Sequence, residues 1–223
     1  MRSSSYARRM ADGTNATSLS RAERRDQATT DTRMAILAAA RGRLLADGYA
    51  NLSTRAVAEA AGVPLSQIHY HFGSKTQLIL AVLDAENARL LERQREMFDT
   101  PQPLWVRWER ACDFLDADIE SGYVRILQEM IAAGWSDPDV AAAVQRMIGG
   151  WYGLLAEVAT REVEHGAAFG DFTPDEIAAL MGTPFLGAEE LILLGVTETA
   201  LPMRSALRKV GKLLQRLEMG DAP

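Results

Sequence analysis

The segment Ser66-Gln67-Ile68-His69-Tyr70-His71-Phe72 concentrates amide, hydroxyl and imidazole groups in one short stretch. These groups can read nucleic-acid bases: a glutamine pairs with adenine, and serine or histidine reaches base edges and phosphates. A metal centre is the competing chemistry. His69 and His71 stand two residues apart and so fall on different faces of a helix, unlike the i, i+4 pair that chelates. For covalent catalysis, Cys112 with His165 is the only nucleophile and base worth pairing. No carboxylate pair or metal-binding cluster occurs at a workable spacing, so the chain is expected not to be an enzyme and to need no cofactor.

Short elements must present this segment. A helix starts after Ser53, a suitable N-cap, and ends at Gly62. Pro64 stands where the next helix opens, its fixed φ suiting the first helical position, and that helix covers about Leu65–Phe72. Gly73 breaks it, and Ser74-Lys75-Thr76-Gln77 has the capping-box pattern of a fourth helix reaching Phe98, before the stop at Thr100-Pro101. Upstream, a helix from Asp31 or Thr32 to Asp47 shows Leu37, Ala40 and Leu44 on one face and ends at Gly48. Gly42, inside it, costs about 1 kcal/mol against Ala. Two eight-residue helices around a tight turn cannot enclose a core alone, so the upstream helix completes a helix-turn-helix unit.

Successive helical side chains rotate by about 100°. With Ile68 facing the core, Phe72 and Leu65 share its side, while Ser66, Gln67, His69 and Tyr70 face outward and His71 sits at the core edge. The outward set holds no carboxylate, which suits a surface that meets phosphates.

The runs Thr32-Arg33-Met34-Ala35-Ile36-Leu37-Ala38-Ala39-Ala40, Gly48-Tyr49, Leu52 to Val63 and Ile68-His69-Tyr70-His71-Phe72-Gly73-Ser74-Lys75 resemble the N-terminal domain of the tetracycline-repressor (TetR) family. The resemblance covers about 45 residues at fixed spacing. It implies that Thr54 contacts a phosphate and Arg55 reaches a guanine. It implies that Leu65, Ser66, Gln67, His69 and Tyr70 face the groove, and that His71 and Lys75 anchor to the DNA backbone. The chain departs from the family pattern twice. Pro64 replaces a Ser or Thr cap, a loss of about 0.5–2 kcal/mol. His69 replaces a Tyr, which removes a phenol contact and puts an imidazole in its place.

Apolar residues make up 48% and charged residues 24% of the 223, which excludes a mostly disordered protein. The net charge of −6 is unevenly spread: residues 1–75 hold 11 Lys and Arg against 6 Asp and Glu, and the remainder 13 against 24. A basic third on an acidic body implies two kinds of partner. Residues 1–30 read as a disordered basic tail, in which Arg2, Arg8, Arg9, Arg21, Arg24 and Arg25 are available to a minor groove. Residues 31–75 form the DNA-binding unit, and 76–223 the effector-binding and dimerisation domain. A single cysteine, no apolar leader and no membrane-length apolar run lead to a cytoplasmic expectation without a membrane partner.

The rest also reads as helix, over 103–120, 123–134, 138–165, 174–194 and 202–219, with Pro184 expected to kink or split the fourth of these. The fold class is therefore all-α. In the last span Met203, Leu207, Val210, Leu214 and Leu217 recur at heptad-like spacing. That seam serves either its own subunit or a partner. The resemblance implies that the last two helices form a dimer bundle, with Leu191 and Leu194 supplying the other half. Two recognition helices would then lie about 34–36 Å apart on a palindrome.

Trp105, Trp108, Phe114, Tyr123, Met130, Trp135, Met147, Trp151, Tyr152 and Met181 populate the middle helices. Such residues fill cores and also line apolar cavities. The resemblance implies an effector pocket here, with Glu109, Asp113, Arg125, Glu129 and His165 as candidates to orient a rather hydrophobic ligand. The combined expectation is a homodimeric repressor, released from a palindromic operator by a small effector. An activator, a protein-binding adaptor and an all-helical enzyme are the alternatives.

Overall fold

The computed structural model describes residues 20–167 and 169–219, the side chains of 217–219 excepted. Among the described residues there are nine helices and no strand: α1 Arg21–Asn51, α2 Thr54–Ala60, α3 Leu65–Phe72, α4 Lys75–Phe98, α5 Leu104–Ser121, α6 Tyr123–Gly134, α7 Pro138–Glu164, α8 Pro174–Leu193 and α9 Met203–Met219.

Helix α1 begins ten residues before the expected Asp31, inside the stretch read as tail. The cause is a complete capping box: Ser20 Oγ accepts from Glu23 N–H at 3.2 Å, and the Glu23 carboxylate accepts from Ser20 N–H at 2.6 Å. These first turns are fully exposed, so local capping and helix-forming residues sustain them without tertiary packing. The remaining residues of the expected tail, 1–19, lie outside the described ones. Gly48 interrupts α1 with φ of +76°, a left-handed turn that only glycine adopts without strain.

Two further expectations need correction. Pro64 is the N-cap of α3 rather than its first residue, with extended φ and ψ of −60° and 146° and no side-chain cap. Pro184 does not split α8, which runs unbroken from Pro174 to Leu193. The capping box at Ser74 is half made: its hydroxyl accepts from Gln77 N–H at 3.1 Å.

Two apolar cores organise the chain. The first joins Ile36, Leu44, Val57, Ile68 and Phe72 of the N-terminal helices to Leu78, Leu83, Val124, Met130 and Val140 of α4, α6 and α7. The helix-turn-helix unit thus rests directly on the following helices. The second core gathers Met97, Phe98, Trp108, Leu115, Phe185, Met203, Leu207 and Leu214.

Helix α9 packs on α5, and the pairing is electrostatic as well as apolar. Arg204 reaches Asp116 and Arg208 reaches Asp113, both at 2.6 Å, while Trp108 Nε1 donates to Leu207 O at 2.7 Å. The heptad-like seam is used inside the subunit: Met203, Leu207 and Leu214 are buried in the second core, and Val210 packs beside them. Leu191 also packs partly into this core, whereas Leu194 is 73% exposed. The side chain of Leu217 lies outside the described residues.

Candidate nucleic-acid interface and internal cavity

Between α2 and α3, Gly62 adopts φ of +66° and the Val63 N–H returns to Ala58 O at 3.0 Å. This closed turn sets the angle between the two helices, and a side chain at Gly62 would be strained. Ile68 is 0% exposed and Phe72 is buried, which fixes the rotation of α3. The opposite side presents Ser66, His69 and Tyr70, the last 74% exposed. Gln67 and Thr54 are half-buried at the margin, and Arg55 on α2 is exposed without an ion pair among the described residues. Leu65 is half-buried, packed in part against the first core.

His69 Nδ1 lies 3.1 Å from Gly73 O, where it donates and closes the end of α3. A neutral ring in that tautomer presents Nε2 outward as an acceptor. His71 stands edge-on to Tyr70, with ring centroids 5.0 Å apart. Lys75 Nζ donates to Ala50 O at 3.2 Å and sits 5.4 Å from the Tyr49 ring, a contact that ties the start of α4 to the end of α1. Arg33, whose guanidinium lies 5.4 Å from the Phe72 ring, adds an exposed cation beside α3. It sits on α1, outside the segment whose pattern drew attention to α3.

An internal cavity lies between α4, α5, α6, α7 and α8, with an empty volume of about 730 Å³ including its open mouth. Six of the expected residues line it: Trp108, Phe114, Tyr123, Met147, Trp151 and Met181. Four do not. Trp105 packs against the second core, Met130 is fully buried in the first, Trp135 is 81% exposed, and Tyr152 bonds Thr183 at 2.9 Å.

The polar lining differs from every candidate named for it. It comprises Asn87, Gln94, Asp118 and Glu189. Gln94 accepts from Trp151 Nε1 at 2.7 Å, and Asn87 accepts from the Tyr123 hydroxyl at 3.2 Å. Arg93 reaches both Asp118 oxygens, at 2.7 and 2.6 Å. Burial nevertheless pushes the Asp118 carboxyl above its ordinary range, and raises the Tyr123 phenol as well. Burial, reinforced by Asp118, raises Glu189 to about 8. The visible signal in the sequence was a carboxylate one helical turn from a core residue: Asp118 follows Leu115, and Glu189 follows Phe185.

The other candidates serve elsewhere. Asp113 holds Arg208, while Glu129 pairs with Arg125 at 3.1 Å and accepts from Tyr49 N–H. Glu109 and His165 do not line the cavity. Cys112 is only 4% exposed, and burial pushes its thiol up to about 11, the reverse of an activated nucleophile. Among the described residues no cluster could hold a metal, and no helix is long and apolar enough to cross a membrane.

Residues 36–82 match the bacterial regulatory proteins of the TetR family. The HTH-type transcriptional regulator UidR of Escherichia coli (strain K12) is 26% identical over 153 residues, 65% of this chain and 70% of UidR. Among solved structures, a TetR transcription regulator from Haloarcula marismortui gives a TM-score of 0.69 at 21% identity, covering 83% of this chain and 96% of its own. FadR from Bacillus subtilis, a transcriptional regulator solved in complex with stearoyl-CoA, gives 0.68 at 14% identity, covering 81% and 96%. At these identities the two structures share the fold.

Proposed function

We propose that the chain, whose residues 36–82 match the TetR family of bacterial regulatory proteins, is a transcriptional regulator and a ligand-responsive repressor. It binds a palindromic operator as a homodimer and is released by a small effector. The observation that carries this reading is the exposed polar side of α3, held outward by the buried Ile68 and Phe72. Ser66, Gln67, His69 and Tyr70 read the groove, with Arg55 on a base and Thr54, His71 and Lys75 toward the backbone.

The cavity supplies the control. Helix α4 carries Lys75 at its start and the cavity residues Asn87, Leu90, Gln94 and Phe98 along its far half. A ligand that prefers one setting of this helix shifts the placement of α3 by its differential affinity for the two states. Since the α9 seam is occupied, the dimer face assigned here is the exposed side of α7 and α8. There Leu180, Pro184, Gly187 and Leu194 recur at helical spacing, beside the open Gly149 and Gly153.

Selection of bound duplexes from a random library tests the reading. A twofold-symmetric consensus, with affinity falling steeply between low and high salt, is the expected result. Enrichment of no sequence, or binding indifferent to salt, would remove it and favour a protein-binding adaptor.

A further inference from the structure

We infer that the cavity binds a lipophilic organic cation, a protonated amine or quaternary ammonium carrying an apolar chain, with Glu189 as its counter-ion. This deepens the regulator reading and rests on it for biological meaning, but not for binding.

The charge of the lining comes first. Asp118 and Glu189 face the space, and no Lys, Arg or His does. Arg93, the nearby cation, does not line the space: its Nη2 grips both Asp118 oxygens, its guanidinium lies 4.2 Å from the centre of the Phe114 ring, and its Nε is buried without a hydrogen-bond partner among the described residues. That leaves Glu189. Gln128 hydrogen-bonds its carboxyl group, yet Oε2 is buried with no partner among the described residues. An orphaned carboxyl oxygen inside a protein is costly, and a ligand cation that takes the proton's place satisfies it directly.

The aromatic lining suits the same ligand. Trp108 and Trp151 spend their indole N–H groups on Leu207 O and Gln94. The indoles are thereby fixed in place, and ring faces of this kind attract cations. Met147, Leu155 and Met181 extend an apolar wall for a chain. A carboxylate ligand would instead meet two acidic groups and no lining cation.

Proton linkage follows. Near pH 7 the empty site holds Glu189 protonated, with Asp118 and its partner Arg93, the Tyr123 phenol and more distant Glu86 as its titratable surroundings. A cation beside Oε2 drives that proton off, so binding releases about one proton per site.

The test uses decyltrimethylammonium, decanoate and decanol, each titrated into the full-length protein without DNA. The readouts are tryptophan fluorescence and calorimetry in two buffers of different ionisation enthalpy. The ammonium should bind at least tenfold more tightly than decanoate and release about one proton at pH 7. Glu189→Gln should weaken the ammonium at least tenfold and leave decanol within twofold, which shows that the cavity survives the substitution. Equal or tighter decanoate binding, no proton release, or an unchanged ammonium affinity in Glu189→Gln would overturn the assignment. Since no duplex is present, such a result leaves the regulator reading standing, whereas failure to bind any duplex removes only the latter.

Discussion

The Glu129 carboxylate on α6 accepts a hydrogen bond from the main-chain N–H of Tyr49, next to the left-handed Gly48 that interrupts α1. Its partner Arg125 donates to Leu45 O at 3.1 Å, so one ion pair holds both sides of that break. This is a direct polar link between the helix-turn-helix unit and a helix of the cavity wall, since Tyr123 and Leu127 of α6 line the cavity.

Removing the link should therefore separate the two halves energetically. Glu129→Ala is expected to lower stability by about 1 kcal/mol, discounted for partial exposure. It should leave effector affinity nearly unchanged while reducing the effector's influence on duplex affinity several-fold. Fluorescence anisotropy with a labelled operator, with and without ligand, measures this. A variant that responds to ligand as the parent does would show that coupling runs through α4 alone.

Arg55 and Lys75 should behave differently. Arg55 is exposed and has no ion pair among the described residues, so Arg55→Ala is expected to cost about 1–3 kcal/mol on the preferred operator and relax one base position. Lys75→Ala should weaken all duplexes alike and reduce the salt slope by about 1. Comparing cognate and scrambled duplexes across a salt series separates them. Equal losses on both duplexes for the Arg55 change would count against base reading.

Leu207 and Leu194, which the sequence places together at an interface, should part ways. Leu207, buried against α5, should cost about 2–5 kcal/mol on truncation to Ala with no change in oligomeric state. Leu194→Arg should leave subunit stability within about 0.5 kcal/mol yet dissociate the proposed dimer. Urea unfolding and sedimentation velocity read the two effects. A Leu194→Arg protein that remains dimeric would move the interface elsewhere.

Glu189 makes a prediction about pH. Its carboxyl rises from 4.5 to about 8 on folding, so the folded chain binds more protons than the unfolded one between those values. Its contribution is complete below pH 4.5 and is lost as pH rises through 8. Glu189→Gln should remove this dependence, so the variant gains on the parent by on the order of 3 kcal/mol across the interval. Denaturant titrations of both proteins at pH 5 and pH 8 test it, and a constant difference between them would contradict the burial of an acid.

The helices themselves were legible because their signals are local. Gly48, Gly62, Gly73 and Gly122 all adopt positive φ, and Ser74 and Thr173 cap the helices that follow them. The outward side of α3 was legible too, because one buried residue, Ile68, sets the rotation of all its neighbours. Arg33 was not, since nothing in its neighbourhood in sequence says that it lies against Phe72.

What tertiary structure alone decided was the use of each apolar face. Met203, Leu207 and Leu214 have a spacing that suits a partner chain as well as their own; the charges of Asp113 and Asp116 on α5 meet Arg208 and Arg204 and direct the helix inward. The cavity aromatics divided in the same way, Trp108 and Trp151 lining the space and Trp135 facing solvent, because periodicity specifies a side of a helix but not what packs there. Local backbone preference and helical rotation act within a few residues, whereas the meeting of Glu189 with Asp118, or of Glu129 with Tyr49, depends on how whole helices cross.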